Sequence, residues 1–161
     1  MAAKSAPAEE GKRSIARNPR ATHDYHILET WEAGLVLRGT EVKSLRNGHA
    51  TLVGAFARIH RGEVFLEGMN VKPYEQGNRW NHDPVRSRKL LLHKQQVERL
   101  IGAVEQKGLT LVPLELYWKD GRAKVAVALG RGKKLHDKRE DMKRRDARRE
   151  VERLARTRGR V

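Results

Sequence analysis

From His23 onward, apolar and polar positions alternate in short runs. His23 to Trp31 interleaves Tyr25, Ile27, Leu28 and Trp31 with polar residues. Leu35-Val36-Leu37 follows Gly34, a residue expected to permit a bulge or tight bend. Thr51 to His60 carries Leu52, Val53, Ala55, Phe56, Ala57 and Ile59; past Arg61-Gly62, Glu63 to Met69 carries Val64, Phe65, Leu66 and Met69. Two such runs around a glycine-containing turn read as a hairpin. Leu90-Leu91-Leu92 reads as a buried strand. It follows the basic stretch Arg86-Ser87-Arg88-Lys89, which suits either a solvated edge or a phosphate contact. Leu109 to Trp118 and Ala123 to Leu129 flank Lys119-Asp120-Gly121-Arg122, where Asp-Gly sits at a hairpin turn. Short strands with short links predict a closed or partly closed small barrel.

Two stretches switch to helical period. Thr40 to Arg46 lies between Gly39 and Gly48, with Thr40 as the expected cap and Val42 and Leu45 on one face. Lys94 to Lys107 places Val97, Leu100, Ile101 and Val104 on one stripe, and Gly108 is expected to stop it. Tyr74 to Arg86, with Gly77, Asn78, Asn81 and Pro84, reads as a long loop that exposes Trp80.

Charge changes the picture at the ends. The net charge of +15 is uneven along the 161 residues. Residues 131–161 hold fourteen Lys or Arg against six Asp or Glu, with no aromatic residue. Such a segment buries too little surface to offset the entropy of ordering its chain, so it is expected to be mobile alone and to take structure on a polyanion. Acid-first pairs at i, i+4 (Glu140 with Arg144, Asp141 with Arg145, Glu152 with Arg156) prepare it to become a helix. Residues 1–17 are small, polar and charged and read as a disordered arm; Asn18-Pro19 opens the ordered part. A nearly balanced body between basic arms implies a phosphate-rich partner and salt-sensitive binding. The tail lacks the apolar face of an interfacial helix, no run approaches a spanning helix, and the N-terminus has no signal-peptide core. Cysteine is absent, which excludes disulfides and thiolate metal sites. A cytoplasmic protein is expected.

Motifs for catalysis are missing. His23 and His26 are three apart and read as polar strand residues rather than metal ligands. Gly130-Arg131-Gly132-Lys133-Lys134 lacks the Ser or Thr of a phosphate loop and reads as a hinge. Glu29, Glu32 and Glu41 could form a carboxylate pair for acid–base work, as in a nuclease, but solvated or salt-bridged acids are the favoured reading. A generic single-strand binder would need stacking aromatics on the sheet, and few are available.

Six blocks together resemble the SsrA-binding protein family, the small protein B partners of transfer-messenger RNA in bacterial ribosome rescue. They are Asn18-Pro-Arg-Ala-Thr-His-Asp-Tyr25, Glu32-Ala-Gly-Leu-Val-Leu37, Gly39-Thr-Glu-Val-Lys-Ser-Leu-Arg46, Arg86-Ser-Arg-Lys-Leu-Leu-Leu-His93, Lys107-Gly-Leu-Thr-Leu-Val-Pro-Leu114 and Gly132-Lys-Lys-Leu-His-Asp-Lys-Arg139. Beyond Arg139 the likeness is one of basic, helix-prone character. At His93 the family pattern carries Asn, and both side chains donate and accept.

The resemblance implies a mainly β fold: an oligonucleotide-binding (OB-like) closed barrel over 18–130, two to three added helices, and a disordered basic C-terminal tail over 131–161 that becomes helical on the ribosome. It implies a monomer without catalytic activity, cofactor, metal or membrane contact. The body would bind the tRNA-like domain of transfer-messenger RNA, support its alanylation, and reach stalled ribosomes with elongation factor Tu in its GTP form. The tail would probe the empty decoding centre and messenger channel. Carried across, the transfer-messenger RNA contacts fall at Asn18, His23, Tyr25, Glu32, Arg38, Glu41, Lys43, Ser44, Arg46, Leu91 and Lys124. Glu32 and Glu41 would accept from base amino groups or 2′-hydroxyls, or hold neighbouring Arg in place. The ribosomal set is Lys133, Lys134, His136, Asp137, Lys138 and Arg139, with Val151 and Leu154 as apolar anchors.

Overall fold

The computed structural model describes residues 11–159. In chain order these form β1 (Lys12–Arg17), α1 (Ala21–Asp24), β2 (Tyr25–Leu35), α2 (Gly39–Arg46), β3 (Ala50–Thr51), β4 (Phe56–His60), β5 (Glu63–Glu67), β6 (Asn70–Val71), a 3-10 turn (Glu75–Trp80), β7 (Arg88–Leu91), α3 (Lys94–Lys107), β8 (Thr110–Lys119), β9 (Arg122–Gly132) and α4 (Leu135–Arg158). Seven strands make one antiparallel sheet in the order β1-β8-β9-β2-β7-β5-β4, and β3 and β6 pair separately.

The mainly β reading holds, but the barrel is not closed. β4 lies beside β8, yet among the described residues no hydrogen-bonded ladder joins the two ends of the sheet. β1 occupies the edge that closure would require, and it carries Lys12, Arg13 and Arg17. Charged side chains on an edge strand oppose further pairing. Register shifts bend the long strands, at Ile27/Glu29 in β2 and at Pro113/Glu115 in β8. Pro113 has no N–H to give to a ladder, which suits it to an irregularity.

β1 corrects the expected disordered N-terminal arm. Lys12–Arg17 is a strand paired to β8, so the ordered body begins before Asn18. Residues 1–10 of that arm lie outside the described residues. At the other end β9 continues through Gly132, past the expected boundary at 130. The expected single strand from Thr51 to His60 is broken, because the chain turns at Gly54 (φ 78°) and buries Leu52 completely. β2 runs straight through Gly34, which pairs with Lys124 on one side and Leu91 on the other. The glycine serves close approach rather than a bend: a Cβ there would stand 3.2 Å from that of Leu91.

The core lies between the sheet and the two middle helices. Leu45 of α2, Leu100 of α3, Leu66 of β5, Leu116 of β8 and Val125 and Val127 of β9 are excluded from solvent. On α3, Val97, Leu100 and Val104 face that core, as their spacing predicts, while Ile101 of the same predicted stripe lines a surface groove and Ala103 packs on the core instead; Gly108 ends the helix in the left-handed region (φ 63°). Both hairpin turns fall where expected, with positive φ at Arg61-Gly62 and at Asp120-Gly121. The start of α2 differs. Arg38 precedes the helix and donates its N–H to Glu41 Oε1 (2.8 Å), while the Thr40 hydroxyl pairs with the His82 ring (2.8 Å).

The basic tail, expected to lack structure away from its target, is a helix here. α4 is 24 residues long and buries none of them. Asp137 accepts the Lys134 N–H (3.2 Å) at its N-terminus, where a carboxylate suits the helix dipole. Glu140 lies 3.6 Å from His136 and Asp141 pairs with Lys133, in place of the arginines one turn further on. Among the described residues no helix is long and apolar enough to cross a membrane.

Candidate nucleic-acid interface

Four groups of side chains carry the expected contact residues. The first lies on one face of β2, β8 and β9 and at the end of β7. A groove of about 610 Å³ is lined there by Glu32, Leu91, His93, Gln96, Arg122 and Lys124 among others. The Tyr117 hydroxyl donates to Glu32 Oε2 (2.6 Å), and Lys119 Nζ stands 3.3 Å from the same oxygen. Tyr117 holds the Glu32 carboxyl below its usual range; slight burial opposes this, and Lys119 and Lys124 reinforce it. Glu32 is therefore an ionised acceptor in a fixed position, with Lys124 nearby. Leu91 is half exposed at the rim (51 %), against the buried strand that its apolar run predicts. Its neighbour Leu90 faces the core instead.

The second group is α2. Lys43 and Arg46 point to solvent, as does Arg38 just before the helix. Glu41 and Ser44 do not; both side chains are buried. Glu41 is wholly buried and binds Arg86, Arg88 and the Arg38 N–H. Burial pushes its carboxyl up, but the bonds from Arg86, the Arg38 N–H and Arg88 outweigh that and leave it below the ordinary range. Ser44 Oγ donates to the Lys72 carbonyl (2.7 Å). Both residues position α2. Glu41 holds the neighbouring Arg86 and Arg88 in place. The Arg86–Lys89 stretch is accordingly neither a solvated edge nor a phosphate site throughout, since Arg88 is buried.

The third group is the turn after β1. Asn18 Nδ2 donates to the Pro113 carbonyl (2.9 Å) and Asn18 Oδ1 accepts the Arg20 N–H (3.2 Å). Its amide thus fixes the turn against β8. Tyr25 packs on Gly130, where a Cβ would stand 3.0 Å from that of Tyr25.

The fourth group is the root of α4. Lys133 donates its N–H to Asp24 O (2.8 Å) and its Nζ to Thr22 O (2.7 Å) and to Asp141. Lys138 stands 3.3 Å from Asp24, which is also bonded to His23 (2.7 Å); Asp137 lies 3.6 Å from His26. His23 first, then Lys138, hold the Asp24 carboxyl below its usual value against slight burial. Lys134, His136 and Arg139 remain exposed, as do Val151 and Leu154.

The structure thus brings Glu32, Leu91 and Lys124 together, and joins His23 to the tail residues Lys133 and Lys138 through Asp24, while Asp137 meets His26 separately. Tyr117 and Lys119 carry no local signal, because their partner Glu32 lies 85 and 87 residues away; Asp24 gains its role only when Lys138 of the tail reaches it. A Lys or Arg opening an apolar run, as in Arg88-Lys89-Leu90, was the one available signal. Among the described residues no group of His, Asp and Glu is arranged to hold a metal ion.

The family model described as SmpB protein matches residues 15–157. An SsrA-binding protein of Bacillus pumilus is 59% identical over 152 residues, covering 94% of this chain and 97% of its own. One from Geobacillus thermodenitrificans is 57% identical over 155 residues, covering 96% and 99%. A solved structure described as "tmRNA-SmpB: a journey to the center of the bacterial ribosome" superposes with a TM-score of 0.62 at 56% identity, over 77% of this chain and 91% of that one.

Proposed function

This chain belongs to the SmpB protein family, and from that premise we propose that it is an RNA-binding factor of ribosome rescue by trans-translation. Its body binds the tRNA-like domain of transfer-messenger RNA, supports the alanylation of that RNA, and travels with it and GTP-bound elongation factor Tu as a monomer. Its tail enters the vacant decoding centre and messenger channel of a stalled ribosome.

The observation that carries this reading is the division between body and α4. The body offers a groove with a fixed carboxylate, a cation and an apolar rim at Glu32, Lys124 and Leu91. Such a set suits base edges and 2′-hydroxyls of a folded RNA. α4 fully buries no side chain, and beyond Lys138 it projects its basic residues into solvent. A cationic helix of this kind fits an rRNA-lined channel and is excluded when messenger fills it. Lys134, His136, Arg139, Val151 and Leu154 are the proposed ribosome contacts, while Lys133, Asp137 and Lys138 set the angle at which the helix leaves the body. The role requires no reaction by the protein itself. Glu29 and Glu32, the carboxylates a nuclease would use, are engaged with Arg99 (2.6 Å) and with Tyr117.

Capture of the full chain's RNA partners from a bacterial lysate, followed by sequencing, tests the reading. One transfer-messenger RNA is expected to dominate. A spread of unrelated single strands would instead indicate the generic binder.

A further inference from the structure

Among the described residues Trp80 is the most exposed large apolar side chain (77 %), and it lies outside the Glu32–Lys124 groove. It is not on a slack loop. The Asn81 side chain closes the loop in both directions, accepting the Tyr74 N–H (2.8 Å) and donating to the Tyr74 carbonyl (2.6 Å). Gly77 makes room for that amide: a Cβ there would stand 2.9 Å from Asn81 Nδ2. Asn78 adopts φ 46°, ψ −130°, which a residue with a side chain rarely takes. His82, buried, ties the loop's end to Thr40 and to the Val71 carbonyl (2.9 Å). Strain and buried bonds are thus spent on holding an indole in water.

The surroundings of that indole are cationic. Arg79 stacks its guanidinium 5.0 Å from the Trp80 ring centre, and Lys43 lies 5.3 Å from the Tyr74 ring at the loop's base. Arg46 and Lys72 are exposed on the adjoining α2 and β6 end, and Arg13 donates to the Arg46 carbonyl (3.2 Å). Two acids share the loop region. Glu75 is exposed, and Asp83 accepts the Val85 N–H (3.0 Å). Cations with an interleaved aromatic pair are the pattern that takes a base on an aromatic face and its phosphates on the flanking charges.

We propose that the loop of residues 74–82 is a preformed stacking site for one unpaired nucleotide of the bound RNA, with Trp80 as the platform and Arg79, Lys43 and Arg46 as the phosphate-facing charges. The site lies beside α2, apart from the Glu32–Lys124 groove, and it deepens the RNA-binding reading on which it rests. No closure is needed, because the loop is already built.

The test uses the full chain and a transcript of the tRNA-like domain, titrated at several salt concentrations. Trp80→Ala is expected to weaken binding about tenfold without altering the slope of log affinity against log salt, since no charge is lost. Trp80→Phe keeps an aromatic face and is expected to retain most of the affinity. Arg79→Ala is expected to make the salt slope shallower by about one. Because the Trp80 side chain is solvated, these variants should melt with the parent. If Trp80→Ala binds within about twofold of the parent while Lys124→Ala is weakened, the stacking site is overturned and the RNA-binding reading stands. If the parent chain shows no preference for the tRNA-like domain over a random strand, both fall.

Discussion

Glu41 of α2 and Arg88 of β7 form an ion pair in which neither side chain reaches solvent. Arg88 uses its remaining donors on the carbonyls of Met69 (2.8 Å), Arg86 (3.1 Å) and Pro84 (3.2 Å). The pair therefore staples the helix that presents Lys43 and Arg46 to the sheet behind it. Glu41→Gln keeps the shape and removes the charge, leaving Arg88 buried without its counterion. Breaking one side of a buried pair costs about 3–5 kcal/mol. Equilibrium unfolding in urea should show a loss of that size; a loss below about 1 kcal/mol would mean that the pair is solvated.

Acid should act on the same fold in a defined direction. Burial raises the carboxyls of Glu41, Glu67 and Glu115, but their bonds outweigh it and all three lie below the ordinary 4.5. The outweighing partners are Arg86 and Arg88 for Glu41, Ser87 and Arg58 for Glu67, and Ser14, Lys12 and Arg17 for Glu115. With folded values depressed, the unfolded chain takes up protons first. Stability from these groups is complete above the ordinary carboxylate value and is lost as pH falls through it to the lower folded values. Denaturant midpoints should be flat around neutrality and drop below about pH 5. Midpoints that rise on acidification would contradict the assignment.

Tyr117 fixes Glu32 from below the groove. Tyr117→Phe leaves the carboxylate charged but loosens it, so RNA affinity should fall a few-fold, with about 1 kcal/mol of lost stability. Glu32→Ala, which removes the acceptor, should weaken binding of the tRNA-like domain by about tenfold. Filter-binding or calorimetric titration separates the two. Equal affinity in the parent and in Glu32→Ala would remove this groove from the interface.

Ending the chain after Gly132 should spare the body. α4 buries no residue, so the melting temperature and the affinity for the tRNA-like domain should stay close to those of the full chain, while tagging of stalled peptides is abolished. A shortened chain that tags at the full rate would leave the tail without its proposed task.

What could be read from the sequence was mostly local. The stripe Val97, Leu100 and Val104 with Gly108 sets the α3 helix and its end within one stretch of chain, and Asp120-Gly121 sets the β8–β9 turn in two residues. The six family blocks were equally local, and they pointed to the family that the comparisons show. The misreadings concern residues that meet across long separations. β1 looks like a charged arm because its partner, β8, lies some hundred positions away, from Glu115 against Arg17 to Lys119 against Lys12. Closure of a sheet depends on its two end strands meeting, which strand count alone does not decide. Glu41 resembles any solvated acid until Arg86 and Arg88, 45 and 47 residues later, arrive beside it. Thr51 to His60 looks like one strand because its apolar residues alternate, but the chain turns at Gly54 (φ 78°) between β3 and β4.

The helix α4 touches the rest of the protein through its first two turns, where Asp24 and His26 meet Lys138 and Asp137. At 1.5 Å per residue it extends roughly 30 Å beyond that pivot, so a tilt of about 10° at the root would sweep the tip by about 5 Å. Small rearrangements around Thr22–Asp24 are thereby geared up, and the reach of the far arginines is governed by a handful of atoms at the hub.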